Sequence, residues 1–192
     1  MTKLKPAGYS LVEVLISVLV LALGVIGAAG MQLTALRTSQ QSAFQTVALE
    51  LAAEIADKMR ANDSQMKHPD NPYALVDFQS TGDVEPAAPA TLCYGAGANC
   101  SAEELAQFDI YEWKKRLKSS LPGGRAKICR DGSPWDGGAG ALTWNCAGSG
   151  AAGAALVVKV GWQAKNPDGT MIADSGKQFP PGVALTVEPY VK

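Results

Sequence analysis

The apolar pattern of this chain falls into two unlike parts. Residues 14–31 carry no charged side chain, and the next charge after Glu13 is Arg37. About 18 to 20 such residues suffice to cross a bilayer as a helix. Beyond Met31 the pattern narrows. Leu33, Leu36, Phe44, Val47, Leu51, Ile55 and Met59 recur at steps of three and four, with Gln40 filling one step. That is a single stripe of an amphipathic helix. Gln41, Gln45, Glu50 and Glu54 lie off the stripe, and Glu54 with Lys58 forms an i,i+4 pair. Lys58 and Arg60 sit where a helix dipole welcomes cations at its C-terminus. No proline interrupts residues 9–61, so one helix is predicted, roughly 80 Å long at about 1.5 Å per residue. Its first part, 9–31, is apolar all round and belongs in lipid or among other helices. Its second part, 32–61, has one apolar face and belongs against a domain. Gly24, Gly27 and Gly30 put small residues on one side, which permits close helix approach but weakens the helix.

The remainder, 62–192, reads as a globular head. Residues 62–100 contain Pro69, Pro72, Pro86 and Pro89 among Ala, Asn, Asp and Gly, which predicts an irregular loop with one short element at Tyr73–Phe78. Ser101 and Glu104 have capping-box spacing. A second helix is predicted over 102–120, with Ala106, Ile110, Trp113 and Leu117 along one face and "LPGG" at 121–124 to end it. Strands are predicted at 125–130, 141–147, 154–164 and 182–188, with a weaker one near 170–173. Leu156, Val158, Val160 and Trp162 alternate with Val157, Lys159 and Gly161, and "NPDG" at 166–169 reads as a hairpin turn. Consecutive strands with short connections imply an antiparallel sheet. Its apolar face needs a cover, and the stripe from Phe44 to Met59 supplies one. The expected fold class is α+β: a long N-terminal helix packed on an antiparallel sheet, with a second, short helix.

Composition removes several functions. The formal net charge is −1, so nothing calls for nucleic acid or an acidic substrate. The run "KKRLK" at 114–118 lacks interleaved aromatics and reads as a solvated helix face. Trp113, on the apolar face, reads as core. His68 is the only histidine, which leaves no nucleophile pair and no metal cluster of His and Cys. The Gly pairs 123–124 and 137–138 do not precede a helix as a phosphate loop does. Asp131 and Asp136 lack the spacing of a calcium loop. No enzyme activity, cofactor or metal is expected. Cys93, Cys100, Cys129 and Cys146 allow three disulfide pairings. Cys93–Cys100, pinning a Gly-rich loop, and Cys129–Cys146, bridging strands 125–130 and 141–147, are the favoured pair. Each is worth about 2–4 kcal/mol through the unfolded chain. An even count behind an N-terminal export signal fits an oxidising compartment.

Lys3 and Lys5 precede the apolar run and keep that end cytoplasmic. An ordinary secretory signal peptide, with "GAAG" at 27–30 as its cleavage site, and a plain membrane anchor both fit these features. Neither explains Glu13. A carboxylate at the edge of a membrane helix costs about 2–3 kcal/mol and marks function by default; the bland alternative is a side chain snorkelling at the interface.

The stretch Gly8–Tyr9–Ser10–Leu11–Val12–Glu13 resembles the signal of type IV prepilins: a short basic leader ending in Gly, an aromatic residue, three more residues, then Glu. Tyr9 stands where that family usually has Phe. The resemblance implies a leader, 1–8, cut by prepilin peptidase between Gly8 and Tyr9, followed by N-methylation of Tyr9. The freed amine is cationic near neutral pH, and Glu13 of the same or a neighbouring subunit can pair with it. A buried unpaired charge is costly, so Glu13 would favour correctly staggered assembly.

"LALGVIGAAGMQLTALRTSQQSAFQ", "LAAEIADKMRAN" and "DIYEWKKRLKSSLPGG" further resemble PilV-type minor pilins of Gram-negative bacteria, although the proline that major pilins often carry near Gly30 is missing. That resemblance implies a single-pass inner-membrane protein with its head in the periplasm, assembled later into a type IV pilus (fimbrium). Its expected partners are other minor pilins, the major pilin and a tip-associated adhesin. Its expected role is to prime pilus assembly for cell adhesion and twitching motility. A minor pseudopilin of type II secretion and a DNA-uptake pilin share the same helix signal and remain open.

Overall fold

The computed structural model describes residues 8–68, 70–80, 85–95, 97–147, 154–163 and 179–188. The leader residues 1–7, the "NPDG" turn and the weak strand at 170–173 lie outside them. The chain divides into two compact units, Met1–Gln40 and Gln41–Lys192.

Helix α1 runs from Leu11 to Ala61, as the uninterrupted pattern requires. In the second unit its stripe is buried at Ala48, Leu51, Ala52, Ile55, Ala56 and Met59, with Phe44 and Val47 partly covered. The chain then turns through a short helix α2, Asp63–Met66, which the sequence pattern did not announce. The predicted element near Tyr73 is a 3-10 turn at Pro72–Leu75 followed by strand β1, Asp77–Gln79. Helix α3, Ala102–Ser120, starts on the Ser101 and Glu104 capping box, with both reciprocal hydrogen bonds present. It ends before "LPGG", where Gly123 takes a φ of 56° that few other residues accept. Ala106, Ile110, Trp113 and Leu117 of α3 are buried in the core that the α1 stripe also enters.

The main sheet has four antiparallel strands in the order β1-β2-β5-β6, where β2 is Arg125–Arg130, β5 is Leu156–Gly161 and β6 is Val183–Val187. Ala126, Ile128, Leu156, Val158, Val160 and Val187 share the core with both helices. The fold is thus the mixed α/β arrangement of a long helix on an antiparallel sheet.

Polar contacts lock α1 to α3. Trp113 Nε1 donates to the Leu51 carbonyl at 2.7 Å, and Lys58 Nζ donates to Asp109 Oδ1 at 2.7 Å. Tyr73 Oη donates to the other oxygen of Asp109 at 3.1 Å. Burial, with the Asp109 charge beside it, pushes the Tyr73 hydroxyl well above its ordinary pKa.

One predicted strand is corrected. Of 141–147 only Ala141–Leu142 is a strand (β4), and it pairs with β3, Trp135–Asp136, not with 125–130. Both sides of β2 are already taken, by β1 and β5. The carbonyls of Thr143 and Asn145 point instead at the ammonium of Lys159, which donates to both, at 2.7 Å for Thr143. Every residue of β5 is buried, Lys159 included, because the segment 143–147 lies over the sheet face opposite the helices. At Gly161 a Cβ would stand 2.9 Å from the Trp144 ring, so only glycine admits this cover. Lys159 pairs there with Asp131, also fully buried. Burial alone would raise the Asp131 carboxyl. Hydrogen bonds from Lys159 and from the amides of Ser133 and Ala147, with the Lys159 charge, outweigh it and hold the group below its ordinary value.

Lys159→Met is expected to destabilise the protein by about 3–5 kcal/mol, since it strands a buried carboxylate. Adding Asp131→Asn should recover a large part of that loss. Because the carboxyl is depressed, its contribution is complete above the ordinary aspartate value of about 3.9 and fades as pH falls below it. Denaturant unfolding of the full chain in detergent, at neutral pH and below that value, measures both effects. The pH effect should shrink in the double variant.

Candidate functional site

The first unit offers the surface on which function is most legible. Gly8 and Tyr9 precede the helix and are exposed, Tyr9 at 86%. The junction between them lies outside regular structure. Ser10 begins the helix: its carbonyl accepts the amides of Glu13 at 3.0 Å and Val14 at 3.2 Å. Glu13 therefore lies in the first turn of α1. There the free backbone N–H groups and the helix dipole favour a carboxylate. Sequence reasoning did not single out Ser10, although its S-x-x-E spacing to Glu13 is a helix-start signal. Among the described residues no cation meets Glu13.

From Leu11 to Leu36 the large apolar side chains of α1 are exposed, and Glu13 is the only charge in that span. The segment is long and apolar enough to cross a membrane. The hydroxyls in it and just beyond it are satisfied within the helix. Ser17 Oγ donates to the Glu13 carbonyl at 2.7 Å, Thr34 Oγ1 to Gly30 at 3.2 Å and Thr38 Oγ1 to Thr34 at 3.1 Å. In lipid, polar groups must find partners internally, and these do.

In the head, Cys93 is joined to Cys100 and Cys129 to Cys146, with Cα atoms 6.0 and 6.1 Å apart. The second bond ties β2 to the segment after β4 rather than to a neighbouring strand. His68 lies in an exposed turn, where its Nδ1 accepts the Asp70 amide at 3.3 Å. Asp131 is committed to Lys159, and Asp136 Oδ1 accepts the amides of Gly138 and Ala139 at 2.8 and 3.2 Å. Among the described residues no group of His, Cys, Asp and Glu could hold a metal. The cations of "KKRLK" are engaged: Lys114 over the Phe78 ring, Lys115 with Glu112, Arg116 with Glu54 and Lys118 with Glu85. Trp113 is buried.

Residues 3–29 match the family model of the prokaryotic N-terminal methylation motif, and residues 30–111 match that of type IV pilin Tt1218, the Tt1218-like family. Together the two matches span residues 3–111, so the likeness to a type IV pilin covers α1, β1 and the first half of α3. No curated protein and no solved structure matches the chain. Pilins are structural proteins. The apolar helix and the methylation motif fit membrane anchoring followed by incorporation in a pilus, with other pilus components as partners.

The exposed apolar surface of α1 ends before the buried stripe begins at Ala48. A chain lacking residues 1–36 is expected to be soluble without detergent and to keep a folded spectrum, while the full chain needs detergent. Size-exclusion chromatography and circular dichroism of the two decide it; aggregation of the truncated chain would count against the assignment.

Proposed function

We propose that the chain is a PilV-type minor pilin, made with a leader of residues 1–8 and anchored in the inner membrane of a Gram-negative bacterium with its head in the periplasm. Prepilin peptidase cuts between Gly8 and Tyr9 and the amine of Tyr9 is methylated. The subunit then joins other minor pilins, the major pilin and a tip-associated adhesin to prime a pilus for adhesion and twitching motility. The observation that carries this reading is the exposed apolar surface from Leu11 to Leu36 with Glu13 as its single charge. Lipid can cover such a surface, and so can the equivalent helices of other subunits. The second also gives Glu13 a partner beyond its own subunit, the amine of a neighbouring Tyr9. Both disulfides, Cys93–Cys100 and Cys129–Cys146, serve the head structurally in this reading. Deleting the gene should reduce surface pili and leave exoprotein secretion and transformation intact; loss of secretion alone would assign a pseudopilus instead.

The mature chain is expected to have the mass of residues 9–192 plus one methyl group on the amine. Intact mass spectrometry and N-terminal sequencing measure this. A chain beginning at Met31 or Gln32 would identify an ordinary signal peptide.

Glu13→Ala is expected to leave insertion and cleavage intact but to lower incorporation into pili tenfold or more. An amine left unpaired among apolar helices costs about 3–5 kcal/mol when fully buried, and about 1.4 kcal/mol is already a tenfold change. Immunoblots of cleaved protein in cells and in sheared pili separate the two steps. Normal incorporation of the cleaved variant would remove the role given to the carboxylate.

A further inference from the structure

The hairpin of β3 and β4 is held at its base far more firmly than two short strands require. Cys129 and Cys146 clamp the segment from both ends. Asp131 Oδ1 accepts the amides of Ser133 and Ala147 at 2.9 and 3.2 Å, and Gly132 N donates to the Ala147 carbonyl at 2.9 Å. Lys159 holds the carbonyls of Thr143 and Asn145. Trp144 is buried, with its Nε1 donating to the Phe179 carbonyl at 2.7 Å. Above this base, Thr143 N donates to the Pro134 carbonyl at 3.0 Å, and Asp136 caps the turn. The tip that results presents Trp135, which is 56% exposed, whereas Trp113, Trp144 and Trp162 are each less than one-tenth exposed.

An indole left in water on a rigid support is a binding platform in search of a ligand, and its surroundings narrow the class. Gly137, Gly138, Ala139 and Gly140 beside it are exposed and carry almost no side-chain surface. A protein partner would find little beyond the ring to bury, and protein hot spots are ringed by further contacts. Asp136 is the only charged side chain between Gly132 and Trp144, so the hairpin itself supplies no cation for a phosphate or an acidic sugar. A neutral pyranose meets both features. Its C–H face stacks on an indole, and its rim hydroxyls donate to a carboxylate. Asp136 commits Oδ1 to the turn, and its Oδ2 has no described partner. We propose that Trp135 and Asp136 form a binding site for a neutral pyranose, with the indole as platform and the carboxylate as hydrogen-bond acceptor. The site stands apart from the helix surface on which the pilin reading rests, and it is tested separately from that reading.

The full chain in a zwitterionic detergent, free of sugar headgroups, is titrated with methyl glucoside, methyl galactoside and methyl mannoside, with glycerol as an acyclic control. Trp135 is the exposed tryptophan, so its emission reports binding. At least one pyranoside should give a saturable emission shift that glycerol does not. Trp135→Ala should abolish it, and Asp136→Asn, which keeps an acceptor for the turn, should weaken binding severalfold. Each variant is first checked by non-reducing peptide mapping for both disulfides. No saturable shift with any of the three pyranosides, or the same shift in Trp135→Ala, overturns the proposal. So does a loss of Trp135→Ala from sheared pili, which would make the hairpin a contact between subunits.

Discussion

The head is organised by the need to cover one stripe of a helix. Ala48, Leu51, Ala52, Ile55, Ala56 and Met59 of α1 are too apolar to stand in water and too small a surface to form a core alone. Helix α3 and the four-stranded sheet complete that core, and their own apolar faces are covered by the same act. The hydrogen bonds between α1 and α3 follow from this packing. Trp113 is large enough to fill the space, and its N–H must then find a partner, which the Leu51 carbonyl provides.

Covering both faces of β5 creates a second demand, met by chemistry rather than by apolar area. Lys159 lies opposite the helices on a strand with no exposed residue. An ammonium there needs acceptors on every side, and it finds them in Asp131, Thr143 and Asn145. Those contacts draw the segment after β4 across the sheet and so determine where the β3–β4 hairpin emerges. The disulfide Cys129–Cys146 closes the same segment covalently.

What the sequence made legible follows from how local the signals are. Helix α1 reads directly from its period, α3 from its capping box and its apolar face, and β2, β5 and β6 from alternation and β-branched residues. The single charge at Glu13 and the Gly8–Tyr9 junction are equally local. The strand expected at 141–147 failed for a nonlocal reason. Its residues have strand character, but the places beside β2 were occupied, and Lys159, from later in the chain, claimed its carbonyls. The alternation of β5 sets Lys159 on the face opposite Leu156, Val158 and Val160, and nothing near Lys159 in sequence announces Asp131 as its partner. Helix α2 is only four residues long, too short for any period to show. Trp135 drew no notice because exposure is a tertiary property.

The hydroxyls of Ser17, Thr34 and Thr38 each return their proton to a carbonyl one turn back on α1. Between Leu11 and Met31 no polar side chain then asks anything of its surroundings, apart from Glu13 near the start. Moving the segment from one apolar environment into another makes and breaks no hydrogen bond along it. The difference between two such environments reduces to shape and contact, plus whatever Glu13 meets. Traffic in either direction then turns mainly on what Glu13 meets. A segment of this kind leaves the choice between two apolar surroundings to a single carboxylate.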